Sequence, residues 1–163
     1  MRIDRVVADA SPLIVLFKSG LAGLLPGLFS EVVVPVPVRR EVEAHGKVDA
    51  VSTGLANAGW ATSVGDLPIP PLIAAWDLGV GESSVLAHAM RQHGMWAILD
   101  DRAARTCART LQIRTPGTVG MIVLAKRRGL IPSARDALAK VTDAGCWLSA
   151  DVVRAALIES AES

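Results

Sequence analysis

Four acidic blocks carry the residue types that could do chemistry. They are Asp9 in Val-Val-Ala-Asp-Ala-Ser-Pro-Leu-Ile, Glu41 in Val-Arg-Arg-Glu-Val, Glu82 in Gly-Val-Gly-Glu-Ser, and the pair Asp100 and Asp101 in Ile-Leu-Asp-Asp-Arg. Two carboxylates ~5 Å apart repel by about 3 kcal/mol at an effective dielectric near 20, so three or four in one crevice strongly penalise it. A divalent cation removes that penalty. An all-oxygen set suits Mg2+ or Mn2+, which keep several waters and bind phosphate, better than Zn2+. Such an ion polarises a phosphodiester and lowers the pKa of an attacking water, so the reaction implied is metal-assisted phosphodiester hydrolysis.

Whether the acids meet depends on the elements that carry them. Val6 to Ala8 read as a short strand buried on both faces, stopping at Asp9, while Ser11 and Pro12 read as an N-cap and first helical position. Asp9 thus ends a strand, although an Asp near a helix start is equally often a structural cap. A second strand is expected over residues 31–36, near whose end Pro35 lies, then a helix over 38–45 that begins at Pro37 and closes at Gly46. Further helices are expected over 49–58, 82–93, 102–111, 119–128, 133–144 and 150–161. Gly20 should end the first helix, and residues 21–29 should make a short apolar helix and a turn. Strands are expected over 60–64, 95–99 and 113–115, a loop over 67–72, and an edge strand over 146–148.

Strands alternating with helices imply an α/β three-layer sandwich around a central, mostly parallel five-stranded sheet. Right-handed strand-helix-strand units place helix starts at the same edge as strand carboxyl ends. Asp9 and Asp100 end strands, Glu82 opens a helix and Glu41 lies about one turn into another, so all four can face one crevice. Asp100 is fixed directly by its strand. Asp101 precedes the helix and suits an N-cap, or the hold on a metal-bound water, so Asp100 is expected to be the closer ligand.

The chain has 163 residues and 51% hydrophobic content, enough for one domain, residues 1–163. Its apolar runs fall short of the roughly 20 residues that cross a bilayer, and the amino end has an acid and a strand where a signal peptide needs an apolar stretch. No membrane association and a cytoplasmic location are expected. Cys107 and Cys146 lack Cys-x-x-Cys spacing and read as small buried hydrophobes. A net charge of +1 requires any nucleic-acid partner to meet a local basic surface, and 4% aromatics with no Tyr argue against a base-stacking platform.

Arg39 and Arg40 beside Glu41, and Arg102, Arg105 and Arg109 after the acidic pair, are candidate contacts for substrate phosphates. Lys126, Arg127 and Arg128 equally suit a helix C-terminus. Ser11 and Thr118 are candidate substrate contacts whose hydroxyls suit N-caps first. His45, His88 and His93 have no ligand spacing and read as surface or helix-end residues, and Glu43, Asp66, Asp77 and Asp136 as surface acids. A dinucleotide site competes poorly because Gly-x-Gly-x-x-Gly is missing, a P-loop is absent, and Ser11 stands where a phosphoaspartyl phosphatase needs its second Asp.

Together these blocks, with the later Thr-Pro-Gly-Thr-Val-Gly, resemble the PIN-domain family, and within it PIN-like proteins related to VapC toxins, over residues 6–148. The resemblance implies a parallel sheet ordered three-two-one-four-five and a Mg2+- or Mn2+-dependent ribonuclease, commonly the toxin paired with a small antitoxin protein. Asp9, Glu41, Glu82 and Asp100 or Asp101 then correspond to the family's four acids. Glu82 departs from the Asp more usual in VapC proteins. The alternative is a PIN-like nucleic-acid-binding or assembly module with a weak or inactive site. The apolar stretch 152–158 suits a homodimer interface or the core equally.

Overall fold

Val6, Val7 and Ala8 are fully enclosed, which requires cover on both faces of the strand they form. In the computed structural model, which describes residues 3–45 and 50–162, that strand is β1 (Ile3–Ala8). It pairs in parallel with β2 (Phe29–Pro35) on one side, with Val6 opposite Val32, and with β4 (Trp96–Ile98) on the other, with Ala8 opposite Ile98. β3 (Ala61–Val64) extends the sheet beyond β2, giving the order β3-β2-β1-β4 with every pair parallel. Gly46 and Asp49, expected to end one helix and start the next, lie outside the described residues.

The sheet has four strands where five were expected. Residues 113–116 do run beside β4, since Ala97 N–H donates to Arg114 O (2.9 Å) and Leu99 N–H to Pro116 O (3.2 Å). Continuing that parallel ladder requires position 116 to return an amide hydrogen to Ala97 O, and proline has none. The segment is therefore bonded in one direction only. Residues 146–148 form no strand either.

Helices flank the sheet. On one side α6 (Val80–Arg91) lies across β1, β2 and β4, with α3 (Val36–His45), α5 (Pro71–Ala74) and α7 (Arg102–Thr110) packed against it. In a second group, α8 (Thr118–Arg127) touches α1 (Ala10–Lys18), α2 (Leu24–Leu28), α9 (Ala134–Asp143) and α10 (Ala150–Glu159). The remaining helix, α4 (Ala50–Ala56), packs on α1 and α3. Ser133 and Ser149 cap α9 and α10 by accepting hydrogen bonds from Asp136 N–H and Val152 N–H, both 3.1 Å.

Two local expectations are corrected. α1 begins at Ala10 with Asp9, not Ser11, in the N-cap position. Pro12 fits because a first-turn amide has no partner inside the helix in any case. The loop expected over 67–72 instead contributes to the short α5, whose Pro71 is preset at a helix start. In α10, Ala156 and Leu157 are buried while Val152 and Ile158 are exposed, so only part of that apolar stretch serves the core. Among the described residues no helix is long and apolar enough to cross a membrane.

Candidate active site

β1 delivers the chain to α1 at Asp9, whose backbone is pinned on both sides. Its N–H donates to Ile98 O (3.2 Å) and its carbonyl accepts from Leu13 N–H (3.3 Å). The side chain is 3% exposed, makes no capping hydrogen bond, and has an enclosed Oδ1 with no partner among the described residues. Buried polar atoms are rarely left this way without a reason. Burial pushes the Asp9 carboxyl up to about 7, with the negative charges of Glu82, Glu41 and Asp100 adding to it and the Ala10 amide opposing.

The four acids that topology placed at one edge are therefore electrostatic neighbours. Glu41 reaches in from α3, where its Oε1 accepts a hydrogen bond from Gly81 N–H (3.1 Å) in the first turn of α6. Partial burial and then the Glu82 charge raise its carboxyl above the usual range, while the Gly81 amide lowers it. Glu82 follows on the same turn, with its carboxylate lying back against Gly79.

Gly81 bonds one acid and leaves room for another. A Cβ there would collide with Glu41 Oε1 and stand 3.1 Å from Asp9 Oδ1. The sequence places Gly79 to Gly81 as a lead into the helix expected over 82–93, whereas Gly81 lies within the first turn of α6. Its signal was a Gly inside a helix, where Ala is preferred by about 1 kcal/mol. Gly117 has a similar role on the far side, since a Cβ there would lie 2.7 Å from Asp100 Oδ1 and 3.0 Å from Arg105 Nη1.

The adjacent pair after β4 divides. Asp100 Oδ1 accepts from Thr118 N–H (2.7 Å) and its Oδ2 from Thr118 Oγ1 (2.6 Å), which fixes the carboxylate against the start of α8. Thr118 therefore gives its hydroxyl hydrogen to an acid, and Gly117 takes the N-cap position expected of it. Asp101 is exposed and caps α7, its Oδ2 accepting from Ala104 N–H (2.8 Å).

The basic candidates are scattered. Arg39 donates from Nη2 to Ala61 O (3.1 Å) at the start of β3, so its guanidinium braces the sheet. Arg40 is exposed beside Glu41 on the wall of a separate cavity, and Arg102 is exposed at the start of α7. Arg105 is half-buried and lines a cavity of ≈ 600 Å³ together with Ser11, Asp100 and Thr118. Ser11 is itself exposed. Cys146, on the same cavity, has its thiol raised by burial and then by the Asp100 charge. His88 departs from its expected surface position: it is 6% exposed and its Nε2 bonds Gly65 O (3.1 Å).

Among the described residues no three acidic, histidine or cysteine side chains are arranged so that they could hold a metal ion as they stand. Both Asp100 oxygens are held by Thr118, and one Glu41 oxygen by Gly81. What the arrangement supplies is oxygen chemistry with one enclosed, unpartnered carboxylate atom at its centre.

No curated protein matches the sequence. The PIN domain family model matches it over residues 5–162, nearly the whole chain, and spans all four acids. With its parallel sheet flanked by helices, the chain belongs to the PIN-domain family, whose members are generally nucleases.

Proposed function

We propose that this chain is a ribonuclease that hydrolyses RNA phosphodiester bonds with the help of Mg2+ or Mn2+ at Asp9, Glu41, Glu82 and Asp100. The observation that carries the reading is Asp9 Oδ1, enclosed and without a partner among the described residues, on a carboxylate that burial first, and then three other acids, push up to about 7. Hydrolysis of this kind needs a dense negative site, and its cost to the fold is otherwise unexplained.

The donor set, four carboxylates, is of the chemical type that binds a hard cation. Asp9 and Asp100 would hold it from two adjacent strand ends and Glu82 from the α6 start, with Glu41 completing the negative wall. When bound, the ion would offset the carboxylate repulsion, polarise the phosphodiester and lower the pKa of an attacking water. The chain's own residues do the rest. Gly81 N–H orients Glu41, Thr118 orients Asp100, and Asp101 fixes the turn by capping α7. Arg105, close to Asp100 across Gly117, is placed to attract a substrate phosphate. The resemblance to VapC-related proteins extends the reading to the toxin of a toxin and antitoxin pair, with a small antitoxin protein as partner.

Purified protein should cut single-stranded RNA with Mg2+ or Mn2+ and stop when EDTA is added. Asp100→Asn should lower that activity by well over a hundredfold, and Asp101→Asn by about tenfold, the low end of the 10- to 100-fold that second-sphere changes typically cost. RNA left intact with both ions would defeat the nuclease reading in favour of a binding module. A larger loss from Asp101→Asn would reverse the two acids' roles.

A further inference from the structure

The cavity beside Asp100 is lined by the polar groups of Asp100, Thr118, Arg105 and Glu159 and by the apolar side chains of Trp147, Leu148 and Val152. Its volume, ≈ 600 Å³, falls within the range of small-ligand pockets, roughly 300–1,000 Å³.

Trp147 is presented there by its local structure. Just past the Ala144 C-cap of α9, Gly145 has a φ of +102°, a glycine conformation, and Cys146 N–H closes the turn on Val141 O (3.0 Å). Cys146 and Leu148 then pack against the core, which leaves the residue between them facing out. Trp147 is 84% exposed, the most exposed large hydrophobic side chain among the described residues. An isolated exposed hydrophobe needs no explanation, but this one stands on the rim of the cavity that contains a site acid. Arg105, on the same cavity, has its Nε enclosed and without a partner among the described residues.

Resting on the nuclease reading above, we propose that this cavity seats an unpaired base of the RNA strand against the Trp147 indole, with Arg105 taking the adjoining phosphate. The acid site and the base seat share Asp100 and Thr118, so a strand threading one reaches the other. The substrate class is single-stranded RNA, because a paired base is already stacked and cannot enter. Few aromatics exclude a stacking platform, yet one tryptophan suffices for one base. Stacking tolerates every base, so the cavity selects for strandedness more than for sequence.

The test compares wild type, Trp147→Ala and Trp147→Phe on a single-stranded RNA and on the same RNA carrying abasic positions. Because the side chain is exposed, the variants should fold normally, which circular dichroism checks. Trp147→Ala should lower kcat/KM on intact RNA by about ten- to a hundredfold, mainly through KM, and should no longer distinguish the abasic strand. Trp147→Phe should retain most of the wild-type value and lose the RNA-induced quenching of indole fluorescence, although three tryptophans remain of the chain's Trp 4. Unchanged cleavage by Trp147→Ala would overturn the base seat while leaving the nuclease reading standing. So would unchanged cleavage accompanied by loss of a dimer, which would make Trp147 a protein contact. Wild type that neither binds nor cuts any RNA would overturn both.

Discussion

Asp9→Asn should abolish metal-dependent cleavage and, in the absence of divalent cation, make the protein more stable at pH 8. Both effects come from the same atoms. The Asp9 carboxyl rises from 3.8 to about 7, first because burial disfavours its charge and then because Glu82, Glu41 and Asp100 repel it. The folded form therefore holds a proton that the unfolded chain has already released between about pH 4 and pH 7. A group of this kind contributes full stability below its unfolded value, and that contribution is lost as pH rises through the folded value. Moving the carboxyl from 3.8 to about 7 corresponds to about 4 kcal/mol, an upper figure because local relaxation toward water reduces it. Asparagine keeps the shape without the charge. Thermal unfolding at pH 5 and pH 8 should show wild type losing stability across that interval and Asp9→Asn losing much less. Retained cleavage, or an equal pH dependence in both proteins, would remove Asp9 from the centre of the site.

Gly81→Ala should lower cleavage by roughly a hundredfold or more, the scale expected when a reacting group is misplaced by about 1 Å. Helix propensity alone predicts the opposite sign for stability, since replacing Gly by Ala inside a helix gains about 1 kcal/mol. Here the new Cβ would collide with Glu41 Oε1 and crowd Asp9 Oδ1 at 3.1 Å. Glu41 can swing outward, because it is exposed, so the fold should survive. That movement breaks the Gly81 N–H bond and opens the acidic wall. A thermal transition near that of wild type, combined with lost cleavage, would match this account. A Gly81→Ala protein with undiminished activity would show that Glu41 need not stand where Gly81 holds it.

Some of this was legible in the chain and some was not. Val6, Val7 and Ala8 announced a strand buried on both faces, and Asp9 ended it as the run suggested. Two elementary rules of topology, applied to acids more than 90 residues apart in sequence, put Asp9 and Asp100 on neighbouring strand ends. The fifth strand failed at a single atom, the amide hydrogen that Pro116 lacks, directly after the β-branched Ile113 and Thr115 that suggested a strand.

The contacts that set up the site are the least legible, because they are made over long range. Nothing local says that Thr118 gives its hydroxyl to an acid 18 residues earlier, or that Arg39 spends its guanidinium on β3. Asp101 was legible because capping is a local interaction, three residues in length. Gly81 and Gly117 are conspicuous only once the carboxylates they touch are in place.

Divalent-cation binding by the acids is the claim on which the rest depends, and a titration of Mn2+ followed by the electron paramagnetic resonance of the free ion measures it without any substrate. At pH 8 wild type should remove Mn2+ from solution, and Asp9→Asn should bind it at least tenfold more weakly. Mn2+ that stays free in the presence of wild type, or that binds Asp9→Asn equally well, would contradict the account.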